Sequence, residues 1–447
     1  MKNGRYPKTV ELVPIAKLRP HERHARTHSK AQLRQIVRSF EAFGMNNPIL
    51  IDDDDNIIAG HGRWLAAKEL GWGEMPALRA SHMSKTQIRA YVIADNKLAL
   101  NSGWDQQMLA IEFQALIELN VDVTITGFST TEVDLTLDFA RNSDPELEAT
   151  PEDHIPPLEE TAVTQAGDLW LMGRHKLLAG DAREASAYTS LLGGEAADMI
   201  FTDPPYNVRI DQNVTGRGRY RHHEFAMASG EMSSDVFAQF LSDTLMNSAR
   251  VCRDGAIAYV CMDWRHIGEL VAAGKTAFSE LKNVCVWNKS NGGMGTFYRS
   301  KHELIFVFKV GSAPHINNFG LGETGRPRSN VWDYPGISSI GPHRAEALRD
   351  HPTVKPVALV ADAMRDCSRR GDTILDAFAG SGTTLIAAET CGRRARVIEL
   401  NPRYCDVILR RYQQLTGKPG ILAGTNFSFE DISEQRVGGH HERKSES

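Results

Sequence analysis

The chain opens with apolar runs whose spacing changes from one segment to the next. VELVP, from Val10, reads as a strand entering a turn. In SKAQLRQIVRSFEAFG, Leu33, Ile36, Val37 and Phe40 recur at helical spacing, with Ser29 placed to cap the helix and Gly44 to end it. PILIDDDDNIIAG reads as strand, acidic turn, strand, so Asp52, Asp53, Asp54 and Asp55 are read as a hairpin tip rather than a metal site. GHGRWLAAKELGW puts glycines ahead of a second helix, and WDQQMLAIEFQALIEL predicts a third. Residues 142–162, rich in Pro, Glu and Asp, read as a linker. Beyond them DLWLMG, HKLLAGD, DMIFTD, AIAYVCM, VCVWNK, ELIFVFK, DTILDAF and RARVIEL alternate with helical patterns such as VFAQFLSDTLMNSAR and PVALVADAMRDCS. That alternation predicts an α/β fold with a doubly wound, mostly parallel sheet. The expected divisions are a small α+β domain over 1–100, a helical segment and linker over 101–162, the large domain over 163–425, and a charged, disordered tail over 426–447.

Composition narrows the picture. A chain of 447 residues has room for two or three cores. The net charge of −5 argues against nucleic-acid binding through overall charge, leaving only local basic patches. Six cysteines without a C-x-x-C pair, several in apolar runs, read as buried thiols of a reducing compartment. The N-terminus lacks an apolar signal core and no run has membrane-spanning length, so a cytoplasmic protein is expected.

Two loops carry candidate chemistry. ILDAFAGSGTTLIAAE runs from strand to helix through Asp376, Phe378, Gly380, Ser381, Gly382 and Thr383, and its glycines let a ligand approach the backbone at a helix N-terminus. Glu399 ends the following strand, at a spacing that lets an acid bond both hydroxyls of a ribose. Leu385 occupies the third glycine position of a dinucleotide fingerprint, so S-adenosylmethionine, which needs no pyrophosphate cradle, fits beside the dinucleotides. The second loop is TDPPYNV. Its two prolines must end the strand ADMIFT, leaving Asp203, Pro204, Pro205 and Tyr206 rigid at the sheet edge where α/β proteins bind ligands. An exocyclic amino group on a nucleobase is a poor nucleophile until its hydrogens are held by two acceptors. Asp203 and the Pro204 carbonyl can be those acceptors, and Tyr206 offers a stacking face.

DPPY with a separate FxGxG loop resembles the amino-methylating DNA methyltransferases. The order, Asp203 before Asp376, resembles their β-class. HPTVKP resembles the cofactor-contacting segment ahead of the glycine loop, which implies roles for Thr353 and Lys355. AGDA resembles the acidic turn near the cofactor's adenine, which implies one for Asp181. An initial Asp, rather than Ser, resembles the adenine-N6 enzymes; a Pro-Cys nucleophile of the carbon-5 type is absent from the chain. The resemblance implies S-adenosylmethionine as cofactor, double-stranded DNA as partner, base flipping, and a restriction-modification setting, with a homodimer as a further expected assembly. N4-cytosine methylation, methylation of RNA or protein, and a DNA-partition module with a vestigial methylase half remain as alternatives.

DNA contacts are expected from the basic loop after the catalytic motif, with Arg209, Arg217, Arg219 and Arg221, and from Arg326, Arg328 and Asn330 in an irregular polar stretch. AGHGRWLAAKELGW resembles the ParB-like fold, whose turn binds nucleotide phosphates in some relatives. Gly60, His61 and Arg63 are the matching residues, although His61 replaces the usual acid and Gly62 the first arginine. A DNA-positioning or interaction domain is therefore the preferred reading of that unit. His21, His24 and His28 are read as a surface cluster.

Overall fold

The computed structural model describes residues 9–20, 28–99, 103–142, 151–207, 231–289, 298–320, 328–335 and 354–438. The chain divides into two units, Met1–Asp144 and Pro145–Ser447.

In the first unit β1 (Val10–Pro14), β2 (Arg19–Pro20), β3 (Ile49–Ile51), β4 (Asn56–Ala59) and β5 (Glu74–Arg79) form a sheet in the order β1-β5-β3-β4-β2. The acidic run is the turn between β3 and β4. Asp52 Oδ1 accepts the N–H groups of Asp54 and Asn56 at 2.9 and 2.8 Å, so the turn satisfies its own backbone. Helix Lys30–Phe43 starts where Ser29 accepts from the Gln32 N–H and stops at Gly44, whose φ is 71°. Helices Gln106–Glu118 and Thr130–Asn142 close a separate small core through Leu109, Phe113, Val123 and Val133.

The second unit is built on one sheet of β6 (Leu169–Met172), β7 (His175–Ala179), β8 (Ala197–Thr202), β9 (Cys252–Met262), β10 (Glu280–Asn288), β11 (His302–Lys309), β12 (Val331–Asp333), β13 (Thr373–Asp376), β14 (Arg394–Glu399) and β15 (Ile421–Leu422). Their order is β12-β10-β11-β9-β8-β13-β14-β7-β6-β15. The middle, from β9 to β7, is parallel. The flanks turn antiparallel except at the edge strand β12, which pairs β10 in parallel; on one side β6 meets β7 through the two residues Gly173 and Arg174, too few for a crossover.

Helices cover both faces. Residues of β8 alternate between them: Met199 and Phe201 pack with helices Val357–Cys367, Thr383–Thr390 and Pro402–Thr416, whereas Ala197 and Ile200 pack with helices Ala185–Leu192, Ser234–Arg250 and Ile267–Ala277. This is the doubly wound arrangement. Its consequence for a site is topological. From β8 the chain moves outward to β9, and from β13 it moves the opposite way to β14, while β8 and β13 are neighbours. The crevice at their C-terminal ends is a switch point, where such sheets take ligands.

Two boundaries differ from expectation. The second half of the supposed linker is packed. The Glu152 carbonyl accepts from Arg411 at 2.8 Å, Asp153 Oδ1 accepts from the Val357 N–H at 3.1 Å, and the Glu159 carbonyl accepts from Arg403 at 2.6 Å. Composition misled here because these contacts use main-chain oxygens and one acid, which need no apolar side chains. The supposed tail is likewise ordered as far as Gly438. Ser428 and Asp431 form a reciprocal capping box, and Phe429 and Ile432 bury against the core. Arg436 then reaches the Val163 carbonyl at 2.9 Å and pairs with Asp168, so the last described segment meets the entry to β6. Residues 439–447, with His440 and His441, lie outside the described residues, as do His21 and His24.

Candidate active site

Both candidate loops open at the switch point. β8 pairs in register with β13, Met199 opposite Ile374 and Ile200 opposite Leu375, so Thr202 and Asp376 finish side by side. Thr202 is fully buried and its hydroxyl donates to Asp376 Oδ1 at 2.9 Å, tying the root of the DPPY loop to the root of the glycine loop. Asp203 therefore emerges one residue away from the glycine-loop acid.

On the glycine side, Gly380 and Gly382 have φ of 53° and 86°. The bend lets the Gly380 N–H donate to Glu399 Oε2 at 2.8 Å, while Glu399 Oε1 accepts from the Asn401 N–H at 2.8 Å. Each carboxylate oxygen keeps a second lone pair for a ligand hydroxyl. Burial pushes the Glu399 carboxyl up to about 7, against the backbone N–H groups of Asn401, Gly380 and Leu400. Burial pushes Asp376 up to about 6, relieved in part by Thr384, the Phe378 N–H and Thr202. A Cβ built on Gly380 meets nothing within 4 Å, so the loop has open space above it. An adenosine-bearing group with hydroxyls to donate fits this donor set: open backbone, two buried acids and, among the described residues, no basic cradle for a pyrophosphate. Arg411, fully buried, braces the loop from behind through the Ser381 carbonyl at 3.1 Å and the Thr383 hydroxyl at 3.3 Å. Phe378 is half-buried against Phe240.

Asp181 follows Gly180, whose N–H donates to the Glu399 carbonyl at 2.9 Å, so it stands at the neighbouring strand edge. Burial alone would raise its carboxyl, but Arg183, paired at 2.6 Å, holds it below the usual range.

On the catalytic side Tyr206 donates to Asp203 Oδ1 at 2.7 Å, and Asn207, at φ 51°, clasps both backbone groups of Met232. The Lys355 ammonium contacts Asp203 Oδ2, stands 3.4 Å from Glu303 Oε2 and 3.3 Å from the Tyr206 hydroxyl, and lies 5.8 Å from the centre of the Tyr206 ring. Lys355, expected beside the cofactor, is thus engaged by the Asp203 carboxylate. Glu303 in turn accepts from Lys289 at 2.9 Å. Burial raises the Asp203 carboxyl above its ordinary range, with Lys355 opposing and Glu303 adding to the rise. Lys355 stays charged: burial works against the ammonium, and Asp203 and Glu303 outweigh it. Although crowded by these groups, Asp203 leaves 27% of its side chain exposed, as a group lining a concave opening does. Two carboxylates and two ammonium groups leave this cluster neutral.

The other expected residues fare differently. Arg328, expected to read base edges, is held within the unit: its guanidinium lies over the Trp332 ring at 4.8 Å and bonds Asp366 at 2.9 Å and the Tyr334 hydroxyl at 3.3 Å. Asn330 is exposed, but its side-chain amide turns back to the Val284 carbonyl at 3.3 Å. In the first unit Gly60, at φ 99°, starts the helix His61–Glu69, His61 is buried, and Arg63 donates to the Asn47 carbonyl at 2.8 Å. Arg209, Arg217, Arg219, Arg221, Arg326 and Thr353 lie outside the described residues.

Comparison with known proteins follows this division. Residues 197–410 match a DNA methylase family of the N6/N4 type, and residues 2–96 match the ParB N-terminal domain. The DNA adenine methyltransferase YhdJ of Escherichia coli (strain K12) is 26% identical over 253 residues, covering 51% of this chain and 80% of that protein. The ParB-like nuclease domain-containing protein YnaK of the same strain is 43% identical over 74 residues, covering 17% of this chain and 85% of that one. The chain belongs to the N6/N4 DNA methylases and carries a ParB-like domain. This methylase family depends on S-adenosylmethionine. A third match, the ParB-methyltransferase HTH domain over residues 107–166, covers the helices that the sequence pattern marked only as a helical segment. Among solved structures, the DNA modification methylase TTHA0409 of Thermus thermophilus, complexed with S-adenosyl-L-methionine, is 23% identical with a TM-score of 0.38, covering 57% of this chain and 100% of that one.

Sequence reasoning missed Thr202, Lys289, Glu303 and Arg411 in this methylase. Glu303 left a mark all the same: it is the one acid in the apolar run ELIFVF.

Proposed function

We propose that this DNA methylase transfers a methyl group from S-adenosylmethionine to the exocyclic N6 of an adenine flipped out of duplex DNA. The placement of Asp203 beside the glycine loop, at one switch-point crevice, carries this reading. Glu399 and the open backbone at Gly380 would hold the ribose of S-adenosylmethionine, which when bound would supply an electrophilic methyl group whose bond to sulfur breaks to leave a neutral thioether. Asp203 and the Pro204 carbonyl accept the two amino hydrogens, which draws the nitrogen lone pair out of the ring and towards the methyl carbon. As the N–C bond forms, Asp203 is placed to receive the departing proton; its raised proton affinity suits that task. The prolines fix the carbonyl before substrate arrives. Tyr206 holds Asp203 and lines the pocket for the base.

Adenine is favoured over cytosine by the initial Asp of DPPY and by the relative named an adenine methyltransferase. The crevice residues act on an amino group that N4 of cytosine also presents, so that second reading is chemically close. Incubation of the full chain with labelled cofactor and plasmid, then chromatography of the digested nucleosides, separates them. N6-methyladenine is expected; label in N4-methylcytosine, or none in DNA, overturns the proposal. For the ParB-like unit and the adjoining HTH match, DNA positioning is the role proposed.

A further inference from the structure

Glu303 is an expensive residue for its position. It sits near the start of β11, opposite Trp287 of β10, and is 8% exposed in a strand whose residues Ile305 to Phe308 are buried in the core. A buried carboxylate costs several kcal/mol of desolvation unless cations and hydrogen bonds offset it, and an apolar residue of like size would fold as well or better. Here two lysines from different elements converge on it. Lys289, over the Trp287 ring at 4.5 Å, bonds one oxygen at 2.9 Å; Lys355 faces the other at 3.4 Å. Lys355 is also the group in contact with Asp203 Oδ2.

We propose that Glu303, held by Lys289, is a positioning residue for methyl transfer: it shares the Lys355 ammonium with Asp203, so that an Asp203 oxygen remains available to the substrate amino group. Without Glu303, Asp203 becomes the only carboxylate among the described residues in contact with Lys355, and the ammonium settles on the oxygens that must bind the amino hydrogens. Among the described residues, the charged and titratable groups around Asp203 are Lys355, Glu303 from β11, Lys289 behind it, just after β10, Cys261 from β9, Asp376 from β13 and Tyr206 of its own loop. Of these, Glu303 is linked to Asp203 by contact through Lys355, and its charge also acts on Asp203 directly. The inference rests on the methyl-transfer reading, so its test needs one arm that does not.

The test uses the full chain with Glu303→Gln, Glu303→Asp and Lys289→Gln. For Glu303→Gln, calorimetry should give a cofactor affinity within about twofold of the parent, while single-turnover methyl transfer to DNA falls about tenfold or more. The acid limb of its rate profile should move to lower pH, because a negative neighbour of Asp203 is gone. Glu303→Asp keeps the charge and should restore the parental limb. Lys289→Gln, at a partly exposed residue, removes a positive charge and should move the limb the other way; it also serves if Glu303→Gln does not fold. The second arm needs no DNA: the 13C carboxyl resonance of Asp203, assigned with Asp203→Asn, is titrated in the cofactor-free protein. Its midpoint should fall in Glu303→Gln and rise in Lys289→Gln. Midpoints that stay at the parental value overturn the inference, as does a rate loss fully matched by lost cofactor binding. Shifted midpoints in a chain that methylates no DNA would sink the proposed function and leave the Glu303 linkage standing.

Discussion

At the scale of single residues the site separates two kinds of acid. Asp203 faces a crowded, partly open cluster, whereas Glu399 is buried on the cofactor side. Asp203→Ala should lower the single-turnover rate by about 100- to 1000-fold, as loss of a preorganised acceptor does, with cofactor affinity by calorimetry nearly unchanged. Glu399 gives a pH prediction of definite sign. Its carboxyl, raised from 4.5 to about 7, binds a proton more tightly in the folded chain than in the unfolded one. The resulting stabilisation is complete below pH 4.5 and is lost as the pH rises through 7, on the order of 3 kcal/mol in all. Glu399→Gln should flatten that part of the melting-temperature profile. Ribose hydroxyls need the ionised form, so cofactor binding below pH 7 should release a proton, read as a buffer-dependent calorimetric enthalpy; a buffer-independent enthalpy there would remove Glu399 from the ribose site.

At the scale of elements, the two loops work because their strands end where they do. Pro204 and Pro205 stop β8, and Gly382, at φ 86°, starts helix Thr383–Thr390 with a Cβ position 2.9 Å from Ile408 Cγ1. Gly382→Ala combines left-handed strain of about 1–2 kcal/mol with that clash, so it should lower the melting temperature by several degrees and weaken cofactor binding. These elements were legible in the sequence because prolines, glycines and period-two apolar runs act locally. Lys289 and Arg411 were not legible. Their partners, Glu303 and Ser381, are distant in sequence and become neighbours only through strand order and helix packing. The packed stretch 151–162 escaped for the same reason, since its contacts are to Val357, Arg403 and Arg411. Arg328 was likewise illegible as to its partners: it stands in a polar stretch that suggested DNA, and Asp366, Tyr334 and Trp332 hold it.

At the scale of the whole molecule, the division at Asp144 predicts that residues 145–447 fold and bind S-adenosylmethionine without the ParB-like unit, with weaker binding to duplex DNA. A fragment beginning at Val163 should melt at a lower temperature than one beginning at Pro145, because it loses the Glu152 carbonyl from Arg411 and the Asp153 carboxylate from the N-terminus of helix Val357–Cys367. Equal melting temperatures by calorimetry would show that the strap contributes nothing. The meeting of the last described segment with the entry to β6, through Arg436 with Val163 and Asp168, reaches further. A short bridge between them, with a new opening cut anywhere from β9 to β12, would make the ribosome deliver the methyl-donor half before the acceptor half. The crevice would assemble from the same strands all the same, because a switch point depends on which strands are neighbours and is blind to the order in which the gene spells them.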